Sequence, residues 1–468
     1  MAALTVRVDF SYQTIISRSL DSIKSCLSQM IRLGEINITT VQASTLEKLF
    51  QDLPKSAPQL HTFHISSNPF GGSAFTIPED FLADTERLQC IHLVKCKIGW
   101  DSPLLTGLAR LTLHDSLKDN ASTIQFLHAL QRMPALTDLD LQNSIPYDSG
   151  EKSTYPIVEL PCLRVFCISS DVGEATTVLR HITFPSSVVL NLTCKETHST
   201  KIDFSKFLSL LATKFLSSLV IRSLSVTDLQ NGLRFEAWPT VVRGFFQIPP
   251  CQLNLLLTWP SLLPPNESQN HAKVLIAVFD SMALHALTNL QLSTSHHIDS
   301  KTLVKTFARP PLLERVHVTS DAAHSFFTAL IYKTKAANKS ITAYRTVSFP
   351  RLRCIYLDGT DFSGVGTNLG SMSADMLMDC LMERCERNAE VQELHLENCY
   401  NLWEDDVEGL REVVVNVEWD EVEQTFSESE EERDYDSDGN TIDGDLYSDD
   451  YYDYDDFPAG YGRPYWLS

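Results

Sequence analysis

No two cysteines in this 468-residue chain are spaced C-x-x-C, no apolar run is long enough to span a bilayer, and no basic stripe offsets a formal charge of −22. Each absence excludes a class. The 11 cysteines are odd in number and scattered, which fits neither a disulfide framework nor a zinc ribbon; most occupy places suited to a small core hydrophobe. The most apolar helical stretch, Phe204 to Ile221, is broken by Lys206 and Lys214. Without clustered Lys and Arg there is nothing to neutralise nucleic-acid phosphates. The first ten residues carry Arg7 and Asp9 where a signal peptide has its apolar core, so a cytoplasmic or nuclear location is expected. Catalytic signatures are missing too: there is no P-loop, no G-x-S-x-G elbow and no H-E-x-x-H. Gly364, Gly366 and Gly370 are not spaced as a dinucleotide fingerprint and read as a loop. The chain is therefore expected not to be an enzyme and to need no cofactor.

What is present is one phrase, apolar-x-x-apolar-x-apolar-x-x-small/polar, repeated about twelve times. Clear copies start at Leu60, Leu88, Leu136, Leu287 and Val391, the last ending in Cys399. Looser copies start at Leu33, Leu108, Leu163, Leu216, Leu313 and Leu352, and a degenerate strand surrounds Leu190 and Leu192. From 33 to 163 the starts are separated by 27, 28, 20, 28 and 27 residues. This is the leucine-rich-repeat strand signature and period. Alternate residues of the short strand enter the core, and the ninth residue serves the loop backbone where the chain turns out. Between strands the pattern turns helical over 19–30, 45–53, 77–88, 122–133, 204–215, 272–287 and 373–387. A strand plus a helix per unit cannot bury its own apolar face, so neighbours must stack. The fold expected is α/β, a curved leucine-rich-repeat solenoid over residues 1–418 with parallel strands concave and helices convex. The phrase lapses between Leu224 and Leu284, where irregular loops and one strand at 252–257 are expected.

Residues 419–468 are expected to form a disordered acidic tail. From Glu418 to Asp456 there are 18 acidic residues and one basic residue, −17 of the total charge of −22. Asp434, Asp436, Asp438, Gly439 and Asp445 match the spacing of an EF-hand loop, but the twelfth place is Asp rather than Glu, and the motif reads as a chance match in an Asp-rich tract.

The third, fifth and seventh places of each phrase face the concave side, where solenoids bind partners. The partner-binding residues expected are His64, His92, His114, Asp140, His317, Tyr356 and His395, with His64 and His92 neighbours on adjacent strands. Partner contact, a metal site and plain solvated residues all remain open for the histidines; no metal ligand is assigned.

The segments Ser44 to Leu60, Gly99 to Leu108, Leu127 to Leu136 and Leu381 to Arg387 resemble the F-box proteins of mushroom-forming fungi. The resemblance implies that the repeats select the substrate of a cullin-RING ubiquitin ligase, while an N-terminal F-box helix bundle docks a Skp-type adaptor. No F-box is found in the chain, whose first ten residues read as a repeat strand, so the adaptor is a partner only if an F-box lies upstream. The function expected is a protein-protein interaction module acting on a protein target at the concave face. Two alternatives remain: a free-standing scaffold or decoy without a ligase link, and a tail-mediated binder regulated by calcium or phosphorylation.

Overall fold

The structure is a computed structural model that describes residues 4–9, 17–51, 53–54, 56–67, 74–79, 81–82, 85–116, 122–146, 155–197, 202–242, 249–260, 267–293, 298–319, 322–331, 347–364 and 372–425. The EF-hand-like motif, the rest of the acidic segment beyond 425, the phrase ends Asn68 and Ser295, and Gly366 and Gly370 lie outside them. The described residues all belong to one compact unit, within Met1–Phe426.

Alternating apolar residues build one mostly parallel sheet of 16 strands in an α/β fold. In chain order these are β1 (Leu4–Asp9), β2 (Leu33–Val41), β3 (Thr62–Ser67), β4 (Cys90–Val94), β5 (Arg110–His114), β6 (Asp138–Gln142), β7 (Val165–Asp171), β8 (Val189–Lys195), β9 (Ser223–Leu229), β10 (Gly232–Trp238), β11 (Leu253–Thr258), β12 (Asn289–Ser293), β13 (Arg315–Thr319), β14 (Cys354–Asp358), β15 (Glu393–Glu397) and β16 (Asn416–Trp419). Within the run β1 to β8, and again within β12 to β16, consecutive strands pair in parallel. In each L-x-L pair one sheet face is sealed: Ile91 and Leu93, Leu139 and Leu141, Leu394 and Leu396 are fully buried. Residues between them on the other face are half-buried or exposed.

The eighth and ninth places of the phrase explain how each strand ends. Lys95, Asp115, Asn143, Gly359 and Asn398, all eighth residues, have φ between 47° and 66°. That left-handed conformation favours Gly and Asn, and Lys95 adopts it with neither advantage. The ninth residues are buried and bridge to a neighbouring turn or strand. Ser116 Oγ donates to Leu93 O at 3.0 Å, and the Ser116 amide donates to Ser144 Oγ at 3.0 Å. The Cys96 and Cys399 thiols lie 3.9 Å from Ile65 O and Leu357 O.

Helices fill the gaps where the phrase ends: α1 (Ser17–Leu27), α2 (Ala43–Phe50), α3 (Thr123–Gln131), α4 (Val172–His181), α5 (Ser205–Leu211), α6 (Glu267–Ser281), α7 (Ser300–Phe307), α8 (Ala322–Leu330), α9 (Ala374–Glu386) and α10 (Glu404–Val413). Several starts carry side-chain caps, though those of α2 and α5 do not. Ser122 and Gln125 form a reciprocal capping box at α3, and Asp299 Oδ1 accepts from Thr302 N at α7. Successive helices from α4 to α10 pack on one another. In the last turn of α9, fully buried Arg384 donates to Ser348 O at 2.8 Å and Phe349 O at 2.9 Å, satisfying carbonyls of the turn before β14.

Four expectations are overturned. Residues 77–88 are not helical in their described part: Phe75–Thr76 pairs in parallel with Cys96–Lys97, Ile77 N donates to Lys97 O, and Pro78 has no amide to continue a ladder. The copy placed at Leu216 starts five residues later, at Ile221, because Ala212–Leu216 continues α5 as a π-helical turn. Residues 223–238 are not irregular loop: β9 and β10 form an antiparallel hairpin there, whereas the strand expected at 252–257 and the helix expected at 272–287 are present as β11 and α6. The strands are consequently not all parallel. β10 runs against both β9 and β11, so the sheet order is β8-β11-β10-β9-β12. A two-residue turn, Gln230-Asn231, cannot supply the crossover a parallel pair needs. The hairpin is tied to α6 by the His271 and Asp228 side chains, 2.9 Å apart and fully buried.

Candidate functional site

The exposed face of the sheet carries two rows of aromatic and ionisable side chains, each assembled by strand register. The first begins on β3 and β4, where His64 and His92 are Cα partners and their rings stack at 4.0 Å and 29°. His114 sits two residues further along, at the next outward place, because His92 pairs with Thr112; its ring lies 5.8 Å from that of His92. Its Nε2 approaches Asp140 Oδ2 on β6 at 3.2 Å, an ion-pair distance without hydrogen-bond alignment. Glu35 and Asn37 of β2 extend the row beyond His64.

Burial, then the neighbouring His64 and His114, pull the His92 imidazole down to about 3. His64 is also lowered, by burial, with Glu35 opposing. Near neutral pH both rings are uncharged, each offering one donor and one acceptor nitrogen.

The second row runs Gln291, His317, Tyr356, His395 and Glu418 across β12 to β16, every neighbour a Cα partner of the next. Tyr356 and His395 stack at 3.9 Å and 8°, and His317 meets the Tyr356 ring edge-on at 6.1 Å. His395 Nδ1 lies 2.9 Å from Glu418 Oε2. Beside this row, the Cys354 thiol, the Glu393 carboxylate and a His395 nitrogen lie within 4.8 Å of one another. Burial pushes both the Tyr356 hydroxyl and the Cys354 thiol up to about 12. Burial lowers His317, with Asp358 opposing.

The seven residues expected from sequence therefore fall into two groups of contacts rather than one surface cluster. His64, His92, His114 and Asp140 form one; His317, Tyr356 and His395 form the other. Six strands, β7, β8, β11, β10, β9 and β12, separate them. His317 departs from the solvated reading, being only 9% exposed under the Tyr356 edge. Sequence reasoning missed Glu418 and Glu35. Glu418 was legible in principle, since Val414-x-x-Val417-x-Trp419 is a further copy of the phrase leading into β16; its place at the start of the acidic run hid it.

Among the described residues no helix is long and apolar enough to cross a membrane. The chain matches no model of a known protein family and no curated protein sequence.

Proposed function

We propose that the sheet-bearing unit is a leucine-rich-repeat solenoid, strands concave and helices convex, that binds a protein target. In this reading it is the substrate-recognition part of an F-box-like protein of a cullin-RING ubiquitin ligase, acting in the cytoplasm or nucleus and catalysing nothing itself. The observation that carries it is the register of the two rows: the fifth place of the phrase delivers His64 and His92 on one side, and His317, Tyr356 and His395 on the other, as continuous side-chain surfaces. Repeat proteins recognise partners through such rows, taking one or two residues from each unit. Largely uncharged, aromatic-rich rows suit a polypeptide better than a polyanion. A Skp-type adaptor is a partner only if an F-box precedes residue 1.

The test is affinity capture with the full chain, with a His92→Ala/Tyr356→Ala pair, and with a chain lacking Ser427–Ser468. A target held by the full and shortened chains but lost by the substituted pair supports the reading. A target lost only with the acidic segment assigns recognition there and refutes it. A ligase link further requires that the target's ubiquitylation fall when the chain is removed.

A further inference from the structure

We propose that Cys354, Glu393 and His395 form a binding site for a thiophilic divalent cation, Zn2+ being the one whose chemistry fits, on the exposed face of β14 and β15. This goes beyond the interaction reading and departs from the expectation that no residue ligates metal. Glu393 and His395 are two apart on β15, so both project from the same face, and Cys354 is the register partner of Glu393 on β14. One sulfur, one nitrogen and one carboxylate oxygen thus converge from two adjacent strands, all within 4.8 Å of one another. Zinc bond lengths of about 2.0–2.3 Å place tetrahedral ligand atoms roughly 3.3–3.7 Å apart. Closing that gap needs about 1 Å of side-chain rotation, which the half-exposed Glu393 is free to make.

The surroundings are those of a ligating histidine. Nδ1 of His395 faces the Glu418 carboxylate at 2.9 Å, which holds the ring in the tautomer with its proton on Nδ1 and leaves the Nε2 lone pair for a ligand. That Nε2 is buried, has no hydrogen-bond partner, and lies 4.0 Å from Glu393 Oε2. The parallel stack on Tyr356 fixes the plane of the imidazole. Glu418 adds negative charge beside His395, while the cation Arg315 stands in register with Cys354. The buried thiol is protonated without metal; on binding, the S–H proton passes to solvent as the S–metal bond forms. Three protein ligands leave a fourth position for water.

The test is an anaerobic titration of the reduced, metal-free full chain with Co2+, with no partner present. A thiolate-to-cobalt charge-transfer band and tetrahedral d–d bands should saturate at one equivalent and vanish when Zn2+ is added. Cys354→Ser should abolish the charge-transfer band. Glu393→Gln and His395→Ala should weaken binding at least about tenfold, and Glu418→Gln by about 10- to 100-fold with the band shape kept. Circular dichroism reports whether each variant folds; should Cys354→Ser not fold, the half-exposed Glu393→Gln and exposed Glu418→Gln decide alone. Absence of the band in the unsubstituted chain overturns the proposal, as does its persistence in Cys354→Ser, which would mean an exposed thiol such as Cys26, Cys162 or Cys385 is the ligand. Unchanged affinity in Glu393→Gln overturns it equally. Because no partner is present, failure here leaves the interaction reading standing, and loss of target binding with an intact cobalt spectrum sinks only that reading.

Discussion

Substituting His92 by Gln should remove a pH dependence of stability that the fold builds into the first row. The His92 imidazole is held at about 3 in the folded chain by burial and by His64 and His114; unfolded, it titrates near 6.5. A depressed folded value means that the unfolded chain takes up the proton first, so the contribution is intact above about pH 6.5 and is lost as pH falls from there toward about 3. Between about pH 7 and pH 5 the linkage integral for this one group is about 2 kcal/mol. His64, lowered in the same direction, adds to the total but is common to both proteins. Urea unfolding at the two pH values should show the unsubstituted chain losing about 2 kcal/mol more than His92→Gln. The groups facing His92 are His64, His114, Cys90 and, further off, Glu35 and Asp140, and all remain in the variant. Equal losses in the two proteins would refute the reasoning. So would an NMR titration in which the His92 ring protonates near its ordinary value.

Leu141→Ala, at a fully buried strand position, should cost about 2–5 kcal/mol in chemical unfolding. Arg384→Met should cost about 2–4 kcal/mol, because the methionine fills the volume but leaves the Ser348 and Phe349 carbonyls without their buried donors; a loss under about 1 kcal/mol would show that water replaces them. Gly232→Ala should lower the melting temperature by several degrees, since the added Cβ meets Leu257 O at 2.7 Å in the middle of the sheet. Once a target is in hand, Tyr356→Ala should weaken its binding by about 2 kcal/mol, measured by calorimetry, as a central aromatic anchor does.

Where the phrase is regular, the sequence was sufficient. Copies at Leu88, Leu136 and Val391 become β4, β6 and β15, and their ninth residues, Cys96, Ser144 and Cys399, are buried as the turn chemistry requires. The meeting of His64 and His92 was legible for the same reason: equal places in consecutive phrases become register partners. The hairpin was legible in principle and was missed. Leu224, Val226, Leu233 and Phe235 are all buried, but on β9 and β10 alternation tells which face a residue takes and not which way the strand runs. Direction came from the tight connection, whose signal was the Asn231-Gly232 dipeptide between two alternating runs; the lapse of the repeat phrase there drew the reading to loops instead. Helices α4, α7, α8 and α10, at eight to ten residues, were missed although α2 and α3 are as short, since so few turns leave the helical period a weak signal that is caught in one run and lost in the next. The diagonal from His92 to His114 depends on a two-place offset within otherwise aligned strands, and the convergence of Cys354, Glu393 and His395 depends on side-chain reach.

The reversed β9–β10 hairpin also bears on the order in which the sheet assembles. Every parallel neighbour must wait for an intervening stretch of chain to fold back, so Phe63 reaches Ile91 only by closing a loop of 28 residues. Leu229 reaches Gly232 across two residues, and a hairpin of this kind closes in about 1–10 μs. Once closed, it offers β10 to β11 and β9 to β12, the two strands from which the sheet continues in opposite directions. The block that interrupts the repeat pattern is thus the natural seed of the whole sheet, with growth running outward toward both ends of the chain.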